Sequence, residues 1–185
     1  MKNVVYVTGN EHKAKYFVRM TKLDIPRISL DLDEIQSTSL SEIVEHKARQ
    51  AYALVNKPVI VEDTKLSFGV LGALPGTFIK WFQQELGEEG LCRLLNSYDD
   101  RSAFAGAAIA YFDGTCLEIF ERELEGTIAK QPSKNNTGFG WNTIFIPKGA
   151  DITFADMEES EFEKWYAKVK PFDEITAFLK SLDEA

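Results

Sequence analysis

Residues 1–17, MKNVVYVTGNEHKAKYF, contain the join that decides the fold of this chain. A short apolar run, VVYV, is typical of a buried strand, and at TGN it gives way to a polar segment that predicts a helix. Two interpretations fit this join. In the first, Gly9 makes a strand-to-helix turn and Asn10 caps the helix. In the second, exposed amides at the helix N-terminus and the cation of Lys13 hold a phosphate.

The first half of the chain continues this alternation of strand and helix patterns. We predict a helix from Asn10 to about Thr21, an extended stretch over IPRISLDL, a second helix from about Leu40 to Val55, and a strand over PVIVED. This order is typical of a parallel or mixed sheet with helices packed on it.

The second half of the chain has a different pattern. SAFAGAAIAYF and CLEIFERELEG predict a long hairpin with its turn at Asp113-Gly114. LPGTFIKWFQQELGEEGLCRLLNS predicts a turn and two helical segments, and NTIFIP predicts a short strand. The tail from Met157 is helical, with a break near Pro171. The predicted fold class is α/β with an extended antiparallel portion and two lobes around a cleft.

Composition narrows the class of protein. A chain of 185 residues that is 44% hydrophobic can bury one substantial core, so we expect a single domain over residues 1–185. VVYV is too short for a signal peptide, and no apolar stretch approaches the roughly 20 residues of a membrane span. Cys92 and Cys116 are too few for a disulfide scaffold. These features predict a cytoplasmic protein without a membrane partner.

The charge balance narrows the class of ligand. The formal net charge of −8 is a poor match for a nucleic-acid polymer, because affinity for duplexes comes from phosphate neutralisation by Lys and Arg. A small anionic ligand held by local cations or a metal is compatible with it. Only two histidines are present, which argues against a histidine-rich zinc site.

Carboxylates follow the predicted strands. Glu62 and Asp63 end the run PVIV, Glu34 follows the extended stretch, and Glu42 lies in the first turn of the second helix. The carboxyl ends of strands line the ligand crevice in open α/β sheets, and Mg²⁺ prefers such oxygen ligands. Each residue has an alternative interpretation. Ser39 and Glu42 fit a capping box, and the others fit a turn or a solvated loop.

The phosphate and metal interpretations combine into one chemistry. Lys13, assisted by Lys47 on the second helix, would hold phosphates, while the carboxylates would hold a metal and orient or deprotonate a water. This is the equipment for hydrolysis of a phosphoanhydride. TGNEHK lacks the spacing of a P-loop, and its single glycine excludes a dinucleotide fingerprint.

Two aromatic stretches contain glycines. LGALPGTFIKWF places Lys80 after a Pro-Gly turn, and TGFGWNTIFIP places Phe139 and Trp141 on either side of Gly140, with Asn142 next. Such aromatics are either core residues at a tight bend or a slot in which a base stacks on a ring. In a slot, the Asn142 amide would read the edge of the base.

Four stretches resemble the inosine triphosphate pyrophosphatase family in their order along the chain. They are TGNEHK, SLSEIVEHKA, VEDTKLSFGVLGALPGTFIKWF and FGWN. The resemblance implies an elongated two-lobed mixed sheet flanked by helices with a central substrate cleft, in a homodimer. It also implies Mg²⁺-dependent cleavage of deaminated purine nucleoside triphosphates (ITP, dITP, XTP) to the monophosphate and pyrophosphate.

The resemblance also implies roles for individual residues. Asp63 would be the catalytic acid, serving as metal ligand and water activator. The metal candidates beside it are Glu34, Glu42 and Glu62. The substrate-binding residues would be Thr8, Gly9, Asn10, Lys13, Lys47, Thr64, Lys80, Phe139, Gly140, Trp141, Asn142 and Lys168.

The late part of the chain departs from the family pattern. Family members carry a segment of the type Glu-Lys-x-x-x-Ser-His-Arg, where this chain reads EFEKWYAKVK. Without gaps from Met157, Phe162 replaces the lysine and residues 166–168 replace Ser-His-Arg. Asn142 replaces an Asp. These departures predict an altered base preference or, as the alternative function, a catalytically silent nucleotide-binding protein.

The three late lysines have two interpretations. They either substitute for the family's missing contacts or belong to a solvated helix face. The lysines are Lys164, Lys168 and Lys170.

Overall fold

The computed structural model describes residues 3–135 and 140–184. Within these residues the strands are β1 (Val5–Val7), β2 (Arg27–Ile28), β3 (Val59–Phe68), β4 (Pro75–Gly76), β5 (Ser102–Phe112), β6 (Leu117–Ile128) and β7 (Phe145–Pro147). The helices are α1 (Glu11–Thr21), α2 (Leu40–Val55), α3 (Ile79–Leu94), α4 (Glu159–Val169) and α5 (Phe172–Glu184). No helix in these ranges combines the length and the apolar character that a membrane crossing requires.

The strands of the described residues form one mixed sheet in the order β2-β1-β3-β5-β6-β7, with β4 paired to β3. β1 is parallel to both of its neighbours, so that Tyr6 lies opposite Arg27 on one side and Ile60 on the other. The β3–β4 and β6–β7 pairs are antiparallel. The predicted α/β class with a mixed sheet is therefore confirmed. The extended stretch over residues 25–32 forms only the short strand β2, and β3 continues beyond PVIVED to Phe68.

The predicted helix starts match the structure. Asn10 has an extended backbone, and its side chain accepts a hydrogen bond from the Lys13 amide at 3.1 Å. Ser39 caps α2 in the same way through the Glu42 amide. The second half of the predicted capping box is different, because the Ser37 hydroxyl accepts the Ser39 amide hydrogen bond and donates to Glu42.

The two predicted helical segments of residues 74–97 are also present. α3 is interrupted at Gly87, whose φ of 64° and ψ of 176° lie outside the helical region. A glycine tolerates this backbone conformation, which a side chain would strain. The break therefore lies at the first glycine of LGEEG, between the apolar residues of IKWF and those of LCRLL.

The described chain divides into two compact units. The first contains the residues up to Asp63, Ala107–Arg122, and the residues from Lys170 onward; the second contains Thr64–Gly106 and Glu123–Val169. The single domain and the central cleft stay predictions. Both cysteines are free thiols, with Cys92 buried and Cys116 half-buried.

The core of the first unit lies on both faces of its strands. One face packs against α2, where Ala48 and Ala51 are fully buried against Val59 and Val61 of β3. On β1, Val5 and Val7 belong to this α2 face. Because side chains alternate along a strand, Tyr6 points to the opposite face.

The opposite face of the first unit is aromatic. There the Tyr6 ring stacks on Phe17 of α1, with ring centroids 4.5 Å apart, and Phe17 meets Phe172 of α5 edge-on. The strands β1 and β3 are therefore covered by α2 on one side and by α1 and α5 on the other.

Candidate functional site

The alternation of β3 separates its two acidic residues. Glu62 follows the even-numbered Ile60, which lies opposite Tyr6, and Asp63 follows the odd-numbered Val59 and Val61, which face α2. Neighbouring side chains on a strand point to opposite faces. The two carboxylates therefore lie in different surroundings although they are adjacent in sequence.

Asp63 forms an ion pair with a lysine of α2. The Lys47 Nζ donates to Asp63 Oδ2 at 2.6 Å, and the two side chains are 16% and 23% exposed. Hydrogen bonds between an ammonium and a carboxylate are shorter and stronger than neutral ones. The pair holds the Asp63 carboxylate in a defined orientation while leaving part of it open to solvent.

Glu62 is buried among two lysines and a tyrosine. Its Oε1 accepts from Lys170 Nζ at 2.5 Å and lies 3.6 Å from Lys13 Nζ, and its Oε2 accepts from the Tyr6 hydroxyl at 2.9 Å. The Glu62 and Lys170 side chains are each 1% exposed, whereas that of Lys13 is 11% exposed. Each Glu62 oxygen thus has a strong donor, which a buried carboxylate requires.

These surroundings shift two pKa values. Burial alone would raise the pKa of Glu62, but the charges of Lys170 and Lys13 and the hydrogen bonds from Lys170 and Tyr6 outweigh burial, so the pKa lies below its ordinary value. Burial lowers the pKa of Lys170 to about 8, opposed by the charge of Glu62. At neutral pH both groups are charged, and the buried contact is an ion pair.

The opening loop confirms the capping interpretation of TGNEHK, and the phosphate interpretation stays a prediction. Thr8 Oγ1 accepts from the Asn10 amide at 3.1 Å, and Asn10 caps α1, so these two side chains fix the turn. Gly9 does not adopt a left-handed backbone, and an added Cβ would lie 3.4 Å from the Ser29 hydroxyl, so the predicted turn at Gly9 does not depend on a positive φ. Lys13 projects from the first turn of α1 towards Glu62, next to Asp63 in sequence.

The predicted metal ligands do not form a cluster of protein carboxylates. Across residues 3–135 and 140–184, no group of three or more His, Cys, Asp or Glu side chains is placed to hold a metal ion. Glu34 and Glu42 are exposed, and the Glu42 carboxylate accepts from Ser37. Mg²⁺ commonly takes only one or two carboxylates, with water and phosphate oxygens completing its shell.

Asp63 fits a magnesium site of this kind better than Glu62 does. Its carboxylate is a hard oxygen donor that is partly exposed. Glu62 is buried, and both of its oxygens accept hydrogen bonds. The role of Glu62 as a metal ligand therefore stays a prediction, and its present hydrogen bonds argue against that role.

The predicted base-binding residues belong to the second unit. Phe139 lies outside the described residues. Gly140 has a φ of 62°, and its carbonyl oxygen accepts from Gln83 at 3.0 Å. Trp141 lies 5.5 Å from Phe145 between ring centroids, and Asn142 is buried. The Trp141 contact agrees with the core alternative; base binding stays a prediction.

The other substrate-binding predictions in the second unit also stay predictions. Thr64 follows Asp63 on β3 and is half-buried. The Lys80 ammonium lies 5.2 Å from the ring centroid of Trp81, and that of Lys168 lies 3.9 Å from Trp165. Lys168 thus makes a local cation–π contact on α4.

The late departures from the family pattern have structural explanations. Phe162 is buried, with its ring 5.4 Å from Phe154 and 5.1 Å from Tyr166, so this position belongs to the aromatic core of the second unit. Lys164 and Lys168 are exposed, as a solvated helix face requires. For Lys170 that interpretation is wrong, because its side chain is buried on Glu62.

The contacts of Tyr6 and Lys170 with Glu62 were not predicted from the sequence. Tyr6 carries the one hydroxyl in the apolar run VVYV, and this polar group in a buried strand was the available signal. Lys170 precedes the helix-breaking Pro171, but nothing local indicates that it reaches Glu62, 108 residues away. Both residues belong to the site because they contact Glu62.

Comparison with known proteins identifies the family. A model of the Ham1 family matches residues 4–178. The inosine triphosphate pyrophosphatase of Yarrowia lipolytica is 40% identical over 182 residues, which cover 96% of this chain and 95% of that protein. The inosine triphosphate pyrophosphatase of Schizosaccharomyces pombe is 36% identical, with 87% and 86% of the two chains covered.

Solved structures agree on the fold. A HAM1 protein from Coxiella burnetii superposes with a TM-score of 0.83 at 22% identity, covering 98% of this chain and all of the other. The Staphylococcus aureus Ham1 protein has a TM-score of 0.80 at 23% identity, with 96% and 98% covered. The family model over residues 4–178 and the similarity to these inosine triphosphate pyrophosphatases lead to one conclusion: the chain belongs to the Ham1 family.

Proposed function

We propose that this chain, a nucleoside triphosphate pyrophosphatase by family, converts deaminated purine nucleoside triphosphates to the monophosphate and pyrophosphate with Mg²⁺. The observation that supports this most directly is the grouping of three lysines with two adjacent carboxylates in the first unit. The lysines come from α1, α2 and the residue pair before α5; the carboxylates end the first-unit part of β3.

The charge of this group suits a polyphosphate. Lys13 and Lys170 lie beside Glu62 on one face of β3, and Lys47 pairs with Asp63 on the other, so the five groups together carry one net positive charge in a chain whose overall charge is −8. A local positive charge attracts an anionic ligand even when the whole molecule repels it. Lys13 and Lys47 are the more exposed lysines of the three, so we assign the phosphate contacts to them, with Thr8, Gly9 and Asn10 shaping the loop.

Asp63 is the residue to which we assign the chemistry. Its carboxylate is held by Lys47 and partly open to solvent, which suits a group that orients or deprotonates an attacking water. Asp63 would also hold Mg²⁺, with Glu34 and Glu42 as further proposed ligands. When bound, Mg²⁺ neutralises phosphate charge during hydrolysis.

Base recognition by residues 139–142, together with contacts from Thr64, Lys80 and Lys168, is proposed from the resemblance. An altered base preference is supported by Phe162, which is committed to the aromatic core, and by Lys168, which lies over Trp165. The nucleotide is the proposed partner. A homodimer stays a prediction.

A nucleotide panel tests the reaction. The purified protein is incubated with ITP, dITP, XTP and the standard triphosphates, with and without Mg²⁺, and pyrophosphate release is measured. We expect release from the deaminated purine nucleotides only when Mg²⁺ is present. Calorimetric nucleotide binding without any pyrophosphate would contradict the proposal and favour the catalytically silent alternative.

A variant at Asp63 tests its role. Asp63→Asn keeps the size of the side chain and removes its charge, and we expect a fall in kcat of about 1,000-fold without unfolding. Asp151→Asn, at an exposed aspartate of the second unit, is the matched control and should retain the wild-type rate. Wild-type turnover by Asp63→Asn would remove Asp63 from the chemistry.

A further inference from the structure

Lys170 lies where a direct substrate contact is impossible without rearrangement. Its side chain is 1% exposed, and its ammonium donates to Glu62 Oε1 at 2.5 Å. The same oxygen lies 3.6 Å from Lys13, which is beyond the usual length of a hydrogen bond. Two lysines thus share one carboxylate, and the buried lysine has the closer contact.

The backbone of Lys170 is anchored within the first unit. Arg122 Nη1 donates to the Lys170 carbonyl oxygen at 3.3 Å, and Arg122 Nε donates to Glu174 of α5 at 2.7 Å. Phe172, two residues later, packs its ring against Phe17 of α1. These contacts fix the place from which the Lys170 side chain reaches Glu62.

Charge balance explains why this position matters for Lys13. A buried carboxylate needs a cation, because the cost of removing it from water is several kcal/mol. With Lys170 in place, Glu62 is neutralised from the interior, and Lys13 keeps a looser contact and greater exposure. Without the Lys170 charge, Lys13 is the other lysine beside Glu62 and would be drawn into the close contact.

We propose that Lys170 is a positioning residue for polyphosphate binding: by neutralising Glu62 it keeps the Lys13 ammonium available to the phosphates of the substrate. The proposal rests on the proposed function and gives Glu62 a different part from Asp63. Glu62 and Lys170 form an internal ion pair with no net charge beside Lys13, and neither touches the nucleotide.

Two variants test this proposal through pyrophosphate binding measured by calorimetry. Lys170→Met removes the charge and keeps an unbranched side chain that is one atom shorter, and we expect the Kd for inorganic pyrophosphate to rise about tenfold. Glu62→Gln/Lys170→Met removes both charges, releases Lys13 from its acidic neighbour and restores the net charge of the group. We expect its Kd to lie within about threefold of wild type.

The kinetic readout separates positioning from a merely structural role. In Lys170→Met we expect the KM for ITP to rise about tenfold while kcat changes less than about threefold. A structural role would instead lower the active fraction, and hence the apparent kcat, in both variants. If Lys170→Met does not fold, the double variant alone decides. Near-wild-type pyrophosphate affinity supports the proposal, and a Kd raised tenfold overturns it.

A measurement that does not depend on activity tests the positioning role of Lys170 separately from the proposed function. Acylation of Lys13 by acetic anhydride, measured by mass spectrometry, reports whether its ammonium is held by Glu62. We expect labelling to fall several-fold in Lys170→Met and to return in the double variant. Unchanged Lys13 labelling in Lys170→Met overturns the positioning role, even if ITP is hydrolysed. The expected labelling pattern supports it, even if no nucleotide is turned over.

Discussion

Glu62 and Asp63 are consecutive residues of one strand, and they differ in almost every physical property of their surroundings. Glu62 is 1% exposed and shared by Lys170, Lys13 and Tyr6, whereas Asp63 is 23% exposed and held by Lys47. Both residues lie within β3, one position apart. The pleat of the strand directs one towards α1 and α5 and the other towards α2.

The different surroundings of Glu62 and Asp63 predict different consequences when the ion pair of each is broken. A buried ion pair contributes little net stability when intact, but breaking it leaves an uncompensated charge in the interior. A partly exposed ion pair costs little to break, because water replaces the lost partner. Changes at Glu62 should therefore affect folding most, and changes at Asp63 or Lys47 should affect turnover most.

The largest expected effect is on the stability of a Glu62 variant. Glu62→Ala leaves the Lys170 ammonium buried without its carboxylate, and we expect a loss of about 3–5 kcal/mol in the free energy of unfolding, measured by urea denaturation. Glu123→Ala, which breaks an ion pair of Lys65 with a more exposed glutamate, is the control and should cost less than about 1 kcal/mol. Equal losses of unfolding free energy in the two variants would contradict the expected difference between a buried and a more exposed ion pair.

A smaller effect is expected on turnover when the exposed pair is broken. Lys47→Met removes the cation that orients Asp63 and a proposed phosphate contact, and we expect kcat/KM for ITP to fall roughly 10–100-fold. The unfolding free energy should change by less than about 1 kcal/mol. Lys57→Met, at an exposed lysine after α2, is the matched control. A Lys47 variant that loses stability but keeps its rate would reverse the assignment of the two pairs.

The smallest effect is a pH dependence that only the buried pair should produce. Glu62 has a folded pKa below its ordinary value of 4.5, so its contribution to stability is complete above pH 4.5 and is lost as pH falls through the folded pKa. Lys170 has a folded pKa of about 8, below its ordinary 10.5. The unfolded chain therefore binds more protons between pH 8 and 10.5, and this group makes stability rise with pH there.

The measurement compares wild type with Glu62→Gln/Lys170→Met by urea denaturation across pH. We expect the stability of wild type relative to the double variant to fall as the pH drops below 4.5, to be flat up to pH 8, and to rise from pH 8 to 10.5. A difference that is constant across the whole range would contradict the assigned pKa directions.

Local features of the fold were predictable because local chemistry determines them. Asn10 and Ser39 cap their helices as the sequence predicts, and Gly87 interrupts α3 between two apolar segments. Because consecutive side chains of a strand point to opposite faces, the predicted strand over PVIVED is sufficient to separate Glu62 from Asp63. These predictions depend on neighbours within a few residues.

The partners of the two acids could not be predicted to the same extent. Lys47 lies on a helix that the sequence predicts to pack on the sheet, but the resemblance implies only a phosphate contact for it, and its ion pair with Asp63 was not predicted. Lys170 meets Glu62 across 108 positions, and only the packing of α5 on α1 brings them together. Phe162 likewise became a core residue because of aromatic neighbours that adjacent sequence does not reveal.

The first unit is assembled from three separate stretches of the chain, and this affects the order in which its parts are synthesised. Its strands β1 and β3 are translated before the residues from Lys170 onward, which come last among its segments. Until they emerge, the Glu62 carboxylate lacks its closest cation, and the aromatic face of Tyr6 and Phe17 lacks Phe172. The ribosome therefore adds 108 residues after Glu62 before this carboxylate can meet its interior cation.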